Sequence, residues 1–351
     1  MTQFEPPHGR SRVPPHSRFN LLMTIIAIFT FSAGCVPITP SPPIASQTSD
    51  PVENTLVPSL QVVQPTSVQV TATPRSSPTP TPFPLNSLID QALQNAGGHW
   101  NVIIRQVNGE ILYSRNPDER ILVASVIKLP VALLFLKSLE RQNIPAGGLL
   151  TYLVLNGVDD ISYADLLHGM LVYSDEDFTD ILIEAISANG LNPYMAVREW
   201  DLEIDIYNRV SSTTDIARLW QGLYLGDYIS AEGRSLLLEL LSEVTDNDAI
   251  RLGVICATDP AGCTFYNKRG TITAETLVVA DSALITLQTD TGEQAYLITL
   301  FGSQGDQASE GSSATIANPG ARASEPPTDY YRLNDAIAEV GQIFADYLGS
   351  R

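Results

Sequence analysis

Residues 125–128, Ser125-Val126-Ile127-Lys128, stand at the start of an apolar stretch that predicts a helix from Val126 to Leu139. Spacing i, i+3 places the hydroxyl of Ser125 and the amine of Lys128 on one helix face. A serine at the positive end of a helix is a candidate nucleophile. The lysine can act as its base if burial or a second cation lowers the lysine pKa. The alternative is a capping serine beside a surface lysine, since about one chance Ser-x-x-Lys is expected in a chain this long.

Two further strings follow along the chain. Ser174-Asp175-Glu176 lies between two predicted helices, and Lys268-Arg269-Gly270 begins a predicted extended run. Alone, the first is explained by a helix N-cap with an acidic first turn, and the second by a polar strand end with a turn glycine. Together, the three strings use two of the only three lysines, Lys128, Lys137 and Lys268. Coincidence is therefore a poor explanation.

In this order, the strings resemble the Ser-x-x-Lys, Ser-Asp-Asn and Lys-Thr-Gly motifs of the serine β-lactamase and penicillin-binding-protein superfamily, with class A β-lactamases nearest. The likeness covers essentially residues 86–350. Beyond the motifs, it includes the surroundings of the nucleophile, the helix before the second motif and a threonine-rich helix start: Ala124–Pro130, Leu166–Asp175 and Ser212–Asp215.

The resemblance implies roles for single residues. Ser125 would be the acylated nucleophile, Lys128 its proton acceptor and Ser174 a relay of the proton to the leaving nitrogen. Lys268 would steer the substrate carboxylate and help to keep Lys128 neutral. Gly270 and Thr271 would belong to the substrate-binding strand, where the N–H groups of Ser125 and Thr271 form the oxyanion hole.

Three departures from the family pattern bear on function. Glu176 replaces the Asn of the second motif, and Arg269 replaces the Thr of the third. We expect Arg269 to contact the substrate carboxylate or to be a solvated charge at the strand edge. The stretch 201–210 lacks the Glu-x-x-Leu-Asn pattern that supplies the deacylating Glu in class A enzymes, and Glu199 and Glu203 are only nearby carboxylates.

Glu176 is the departure with the largest expected effect. A carboxylate only accepts hydrogen bonds, and its charge near Lys128 would raise the lysine pKa, so both properties predict slow acylation of ordinary penicillins. The same carboxylate would be placed to activate water for deacylation. The remaining alternative is that Glu176 turns outward as an acidic residue of a helix start.

The sequence thus predicts a serine hydrolase of the class A β-lactamase type that acts through an acyl-serine, with deacylation as the doubtful step. A penicillin-binding-protein-like D,D-peptidase and a non-catalytic cell-surface binding module on the same fold remain alternatives. The expected partners are a β-lactam or a cell-wall peptide. We expect a monomer that needs no metal or organic cofactor.

The predicted fold class is α+β. Leu85–Asn95 is a helix, and strands at 100–107 and 110–114 are joined by Asn108-Gly109, which favours a type I′ turn. Residues 140–245 are nearly all helical, with a capping box at Ser162. Strand candidates and a closing helix then follow at 264–268, 277–288, 295–301 and 329–348. These strands form one antiparallel five-stranded sheet flanked by the terminal helices if residues 140–245 are an inserted helical subdomain.

Composition excludes several other classes of protein. The chain has 351 residues, with 39 acidic and 20 basic groups and a net charge of −19, which argues against a nucleic-acid partner. Its four histidines show no metal-ligand spacing, so a zinc hydrolase is not expected. No nucleophile elbow of the Gly-x-Ser-x-Gly type and no phosphate-binding Gly-rich loop occur.

The first 85 residues predict an export signal followed by a tether. Arginines, the apolar run Leu21–Phe31 and small residues before Cys35 have the order of an export signal with a lipidated cysteine. An uncleaved membrane anchor is the alternative to residues 1–35 being a signal peptide. Residues 36–85 contain 12 Pro and 15 Ser or Thr, which predicts a disordered tether. The catalytic domain, residues 86–351, is then extracytoplasmic, where Cys256 and Cys263 are expected to form a disulfide.

Overall fold

The structure is a computed structural model that describes residues 82–142, 144–243, 251–257, 262–273, 276–304 and 328–351. Its helices are α1 Leu85–Ala96, α2 Lys128–Glu140, α3 Leu149–Leu155, α4 Tyr163–Leu171, α5 Glu176–Ala188, α6 Pro193–Glu199, α7 Thr213–Leu225, α8 Ala231–Ser242, α9 Val254–Ala257 and α10 Thr328–Gly349. Its strands are β1 His99–Gln106, β2 Ile111–Arg115, β3 Ile121–Leu122, β4 Gly157–Val158, β5 Ile161–Ser162, β6 Val210–Ser211, β7 Cys263–Thr273, β8 Leu277–Thr289 and β9 Gly292–Gln304.

Five strands form one antiparallel sheet in the order β2-β1-β9-β8-β7. Residues 277–286 of β8 and 296–303 of β9 are buried without alternation, because both faces of the sheet are covered. Alternate side chains join two apolar clusters, one with the terminal helices α1 and α10 and one with the helices of residues 128–242. The predicted α+β class with a helical insertion is confirmed.

The hairpin between β1 and β2 uses a different turn from the predicted one. A type I′ turn needs a positive φ at both central residues, but of Asn108 and Gly109 only Gly109 has one, at 109°. The N–H of Gly109 donates to the carbonyl of Gln106 at 3.0 Å, and the register slips at Ile104/Arg105. The connection is therefore a longer loop closed by a left-handed glycine.

Helix α2 lies at the centre of the larger apolar cluster. Its residues from Lys128 to Leu139 are buried except for Lys137, so the helix is enclosed on every side. A 3₁₀ turn, Ala124–Ile127, precedes it, which shows that the first residues of the predicted helix take the tighter winding. Helices α4 and α5 pack against α2. The helix α4 begins at the predicted capping box, where the Ser162 hydroxyl accepts from the N–H of Asp165.

A two-stranded ribbon connects the approach to α2 with the approach to α7. Strands β3 and β6 pair antiparallel through Ile121 with Ser211 and Leu122 with Val210. The N–H of Val123 extends the ribbon by donating to the carbonyl of Arg209 at 2.9 Å. The turn at residues 124–127 is thereby fixed to the loop before β6.

A disulfide joins Cys256 to Cys263, with the Cα atoms 5.4 Å apart, and links α9 to the first residue of β7. None of the helices in the described ranges has the length and apolar content needed to cross a bilayer. Cys35, the predicted export signal and residues 36–81 of the predicted tether lie outside the described residues.

Candidate active site

Ser125 lies in the 3₁₀ turn, and its hydroxyl does not cap a helix. The N-cap positions of the turn and of α2 are Val123 and Ile127, and neither makes a side-chain capping bond. The Ser125 hydroxyl instead accepts a hydrogen bond from Nζ of Lys128 at 3.0 Å and donates to Oε1 of Glu176 at 3.2 Å. The alternative of a capping serine is wrong.

Lys128 is completely buried at the first turn of α2. Its Nζ is within bonding distance of the Ser125 hydroxyl, the Ser174 carbonyl at 2.7 Å, the Ser174 hydroxyl at 3.1 Å and a carboxylate oxygen of Glu176. Burial lowers the pKa of Lys128, and this outweighs the opposite effect of Glu176. The amine therefore lies within hydrogen-bonding distance of the serine hydroxyl, and its lowered pKa favours the neutral form that can accept a proton.

Ser174 lies between α4 and α5 with a positive φ of 60°. The N-cap of α5 is the next residue, Asp175, whose side chain accepts from the N–H of Phe178. The Ser174 hydroxyl accepts from Nζ of both Lys128 and Lys268, each at 3.1 Å. With both acceptor positions of the oxygen used, its own hydrogen is left to donate elsewhere.

Lys268 reaches the same hydroxyl from β7 and is 2% exposed. Burial, followed by repulsion from Lys128, lowers the pKa of Lys268 to about 7. The two lysines thus lie on either side of Ser174, and burial lowers the pKa of both.

Gly270 brings β7 against the nucleophile. A Cβ at this position would lie 2.6 Å from the amide nitrogen of Ser125 and 2.8 Å from Cβ of Ala124, closer than real Cβ contacts come. Glycine is thus required for the approach. It places the strand of the expected oxyanion hole beside the N–H of Ser125.

Arg269 is not brought to Ser125 with the other predicted residues. Side chains alternate along a strand, so Arg269 lies on the opposite face from Lys268, across from Asp281 in the register of β7 and β8. Burial lowers the pKa of Arg269, while the charge of Asp281 acts in the opposite sense.

Thr271, the other predicted residue of this strand, accepts at Oγ1 from Nη2 of the buried Arg251 at 3.2 Å. Nη1 of Arg251 donates to the carbonyl of Ala280 at 2.7 Å. Arg251, which the sequence analysis did not single out, therefore ties β7 to β8 beside the site.

Glu176 turns into the site, so the alternative of an outward-facing helix-start acid is wrong. Its Oε1 contacts Lys128 and Ser125, and its Oε2 lies 2.7 Å from Nη2 of Arg209. Burial alone would raise the pKa of Glu176. The nearby charges of Arg209 and Lys128 lower this pKa by more than burial raises it, so the carboxylate is held ionised.

Arg209 is the site residue that the sequence analysis missed. It lies in the stretch 201–210, which the sequence analysis noted only for its lack of the Glu-x-x-Leu-Asn pattern. The available signal was a single basic residue in a stretch otherwise rich in acidic groups. Of the two nearby carboxylates, Glu199 is exposed at the end of α6, and Glu203 is paired with Arg120 at 3.4 Å. Neither carboxylate contacts Ser125, Lys128 or Glu176.

The arrangement combines a hydroxyl nucleophile, a buried amine within 3.0 Å of it and a second hydroxyl held between two lysines. Such a set can transfer an acyl group to Ser125 and a proton to a leaving group. No cluster of His, Cys, Asp and Glu suited to a metal ion occurs within the described ranges.

Comparisons agree with this geometry. The sequence pattern of the beta-lactamase enzyme family matches residues 84–347. A β-lactamase from Chitinophaga pinensis is similar in structure, with a TM-score of 0.54 and 18% identity over 74% of this chain and 97% of that one. A class A β-lactamase from Bacteroides cellulosilyticus has a TM-score of 0.55 and 17% identity over 76% of this chain and 98% of that one.

A variant of the penicillin-binding protein PBP-A, as an acyl-enzyme complex with penicillin G, has a TM-score of 0.51 and 18% identity over 74% of this chain and 97% of that one. No curated protein matches the chain in sequence. At these identities the solved structures establish the fold, and the family pattern, which covers most of the chain, establishes descent. The chain belongs to the beta-lactamase enzyme family, and its fold is similar to that of class A β-lactamases.

Proposed function

We propose that this protein opens β-lactam rings through an acyl-serine intermediate on Ser125 and hydrolyses that intermediate slowly. The observation that carries the proposal is the contact of 3.0 Å between the Ser125 hydroxyl and the buried amine of Lys128. A hydroxyl becomes a useful nucleophile when an adjacent base takes its proton. Burial gives Lys128 the lowered pKa that such a base needs.

Acylation requires the neutral amine of Lys128. The ammonium group reaches that form by losing its proton to solvent, against the charge of Glu176. The amine takes the proton of Ser125 as Oγ attacks the lactam carbonyl. The N–H groups of Ser125 and Thr271 receive the developing oxyanion. The C–N bond then breaks as Ser174 donates its proton to the leaving nitrogen, and Lys128 or Lys268 reprotonates Ser174.

Glu176 makes the first step slow. With Lys128 charged and Glu176 ionised, the Ser125 hydroxyl donates to the carboxylate, because an ammonium group cannot accept. The charge of Glu176 also favours the ammonium form of Lys128. Acylation therefore starts from a stabilised ion pair.

Deacylation is slow because the loop 201–210 places a guanidinium, not a carboxylate, at the site. Glu176 is the carboxylate in contact with the Ser125 oxygen, and it would be the base that activates water. A long-lived acyl-enzyme is also the behaviour of the second candidate, a penicillin-binding-protein-like D,D-peptidase. The similarity to PBP-A, captured as an acyl-enzyme with penicillin G, favours keeping this candidate.

Two measurements on the same preparation test the proposal. Intact mass after exposure to penicillin G reports a covalent adduct, and a chromogenic cephalosporin reports turnover, with Ser125→Ala as the control. An adduct together with slow turnover supports the proposal. A lasting adduct without turnover favours the D,D-peptidase. The absence of both from folded protein would leave a non-catalytic binding module on this fold.

We also propose that the domain works outside the cytoplasm on a lipid or membrane anchor at its N-terminus. The disulfide between Cys256 and Cys263 supports an oxidising compartment. Labelling of the wild type, but not of Cys35→Ser, with a radioactive fatty acid would support lipidation. Equal labelling of both would contradict it.

A further inference from the structure

The two oxygens of Glu176 have different partners. Oε1 contacts Lys128 and Ser125, whereas Oε2 lies 2.7 Å from Nη2 of Arg209. The Arg209 side chain is 16% exposed, and that of Glu176 is 44% exposed. Oε2 itself is buried, and its contact with Arg209 is an ion pair. The position of Oε1 at the serine therefore depends on that ion pair.

The backbone around Arg209 fixes the position of the guanidinium that contacts Oε2 of Glu176. Arg209 has a positive φ of 56° and is followed by Val210, which is bridged to Asp205 and paired with Leu122. The carbonyl of Arg209 accepts from the N–H of Val123, two residues before Ser125. The same ribbon therefore fixes the guanidinium and the nucleophile relative to each other.

We propose that Arg209 is a positioning residue for acyl transfer, which holds Glu176 by Oε2 and offsets the charge of that carboxylate at Lys128. The inference rests on the proposed function. Arg209 contacts neither the nucleophile nor its base in the structure, so it acts by holding Glu176 and through its charge. In this view, Arg209 compensates for the carboxylate that replaces the family's amide at position 176.

Charged groups lie near Glu176 on three other parts of the chain: Lys128 on α2, Lys268 on β7 and Arg209 before β6. At the start of its own helix, α5, are Asp175, Asp177 and Asp180. Arg209 lowers the pKa of both Glu176 and Lys128. Its removal raises the pKa of both groups, because Arg209 stabilises the ionised carboxylate of Glu176 and destabilises the ammonium form of Lys128. The acidic limb of the acylation profile, which reports deprotonation of Lys128 beside Glu176, therefore moves to higher pH.

The experiment measures the rate of penicilloyl adduct formation by intact mass, in full-length protein, from about pH 5 to about pH 9. The variants are Arg209→Gln, Arg209→Lys and, as a matched control, Arg218→Gln. Arg218 on α7 forms an exposed ion pair with Asp201 at 2.6 Å. We expect Arg209→Gln to acylate about tenfold more slowly on the acidic side, Arg209→Lys to recover part of the loss, and Arg218→Gln to match the wild type.

A second background separates positioning from a purely structural role. In Glu176→Gln protein, the further change Arg209→Gln should shift the profile less, because the ion pair with Glu176 is gone and only the charge effect of Arg209 on Lys128 remains. Equal shifts in both backgrounds, or a wild-type profile in Arg209→Gln, would overturn the inference while leaving the nucleophile assignment intact. Wild-type protein that forms no adduct at any pH would instead refute the proposed function, and the positioning role with it.

Discussion

Gly270 lies so close to Ser125 that no side chain fits between their backbones. The Cβ that Gly270 lacks would lie 2.6 Å from the amide nitrogen of the nucleophile, so β7 and the 3₁₀ turn approach each other as closely as their backbones allow. Under the proposed function, this close approach would set the width of the gap that a substrate carbonyl enters. It also makes position 270 a sensitive point for both packing and chemistry.

Gly270→Ala should therefore separate β7 from the 3₁₀ turn. We expect acylation to slow by at least about tenfold, and the free energy of unfolding to fall by about 1–3 kcal/mol, as in other overpacked sites. Gly349→Ala is the control, since a Cβ there meets nothing within 4 Å. Adduct mass kinetics and urea unfolding measure the two effects. Wild-type values for both would show that the strand has room to move.

Ser125→Ala should abolish the adduct without unfolding the domain. Because the hydroxyl caps neither the 3₁₀ turn nor α2, its loss removes only side-chain hydrogen bonds to Lys128 and Glu176. The expected change in the free energy of unfolding is within about 1 kcal/mol. Intact mass and urea unfolding test this, and adduct formation at the wild-type rate would mean that another residue is the nucleophile.

Lys268→Met should stabilise the protein at low pH while slowing acylation. The folded-state pKa of Lys268 is about 7, below the unfolded value of about 10.4. The unfolded chain thus binds more protons between these values, and wild-type stability rises with pH through this window. Below it, the wild type retains the full penalty of a buried ammonium group.

Urea unfolding of wild type and Lys268→Met at about pH 6 and about pH 10 should therefore show an advantage of the variant that shrinks with rising pH. Lys137→Met is the control, because Lys137 is partly exposed and paired with Glu140. A variant that is less stable than wild type at the lower pH would contradict the sign of the effect.

Glu176→Asn should speed acylation. The change removes a hydrogen-bond acceptor from Ser125 and the negative charge that favours the ammonium form of Lys128. If about 1.4 kcal/mol of barrier is lost, the rate rises about tenfold. Adduct mass kinetics with penicillin G test it. A variant that acylates no faster but accumulates the adduct would identify Glu176 as the deacylation base instead.

Much of the fold followed from local patterns. The buried runs of β8 and β9, the capping box at Ser162 and the apolar helix α2 are each encoded within about a dozen neighbouring residues. The contacts missed were those between distant segments. Arg209 meets Glu176 only because the ribbon β3–β6 brings its loop to the nucleophile, and one residue of strand alternation turns Arg269 away from Lys268. Turn geometry was missed for a different reason, because Asn-Gly is compatible with more than one loop.

The enclosure of α2 has a consequence for how the site survives fluctuations. A helix buried on every side can open only when the surrounding core opens, so its amide hydrogens should exchange with solvent at the slow rate set by global unfolding. Lys128 therefore stays in place as long as the protein is folded. Ser174 and Arg209, in connections between elements, are subject to faster local opening, and hydrogen exchange in those segments would show how often the intact base is left without its neighbours.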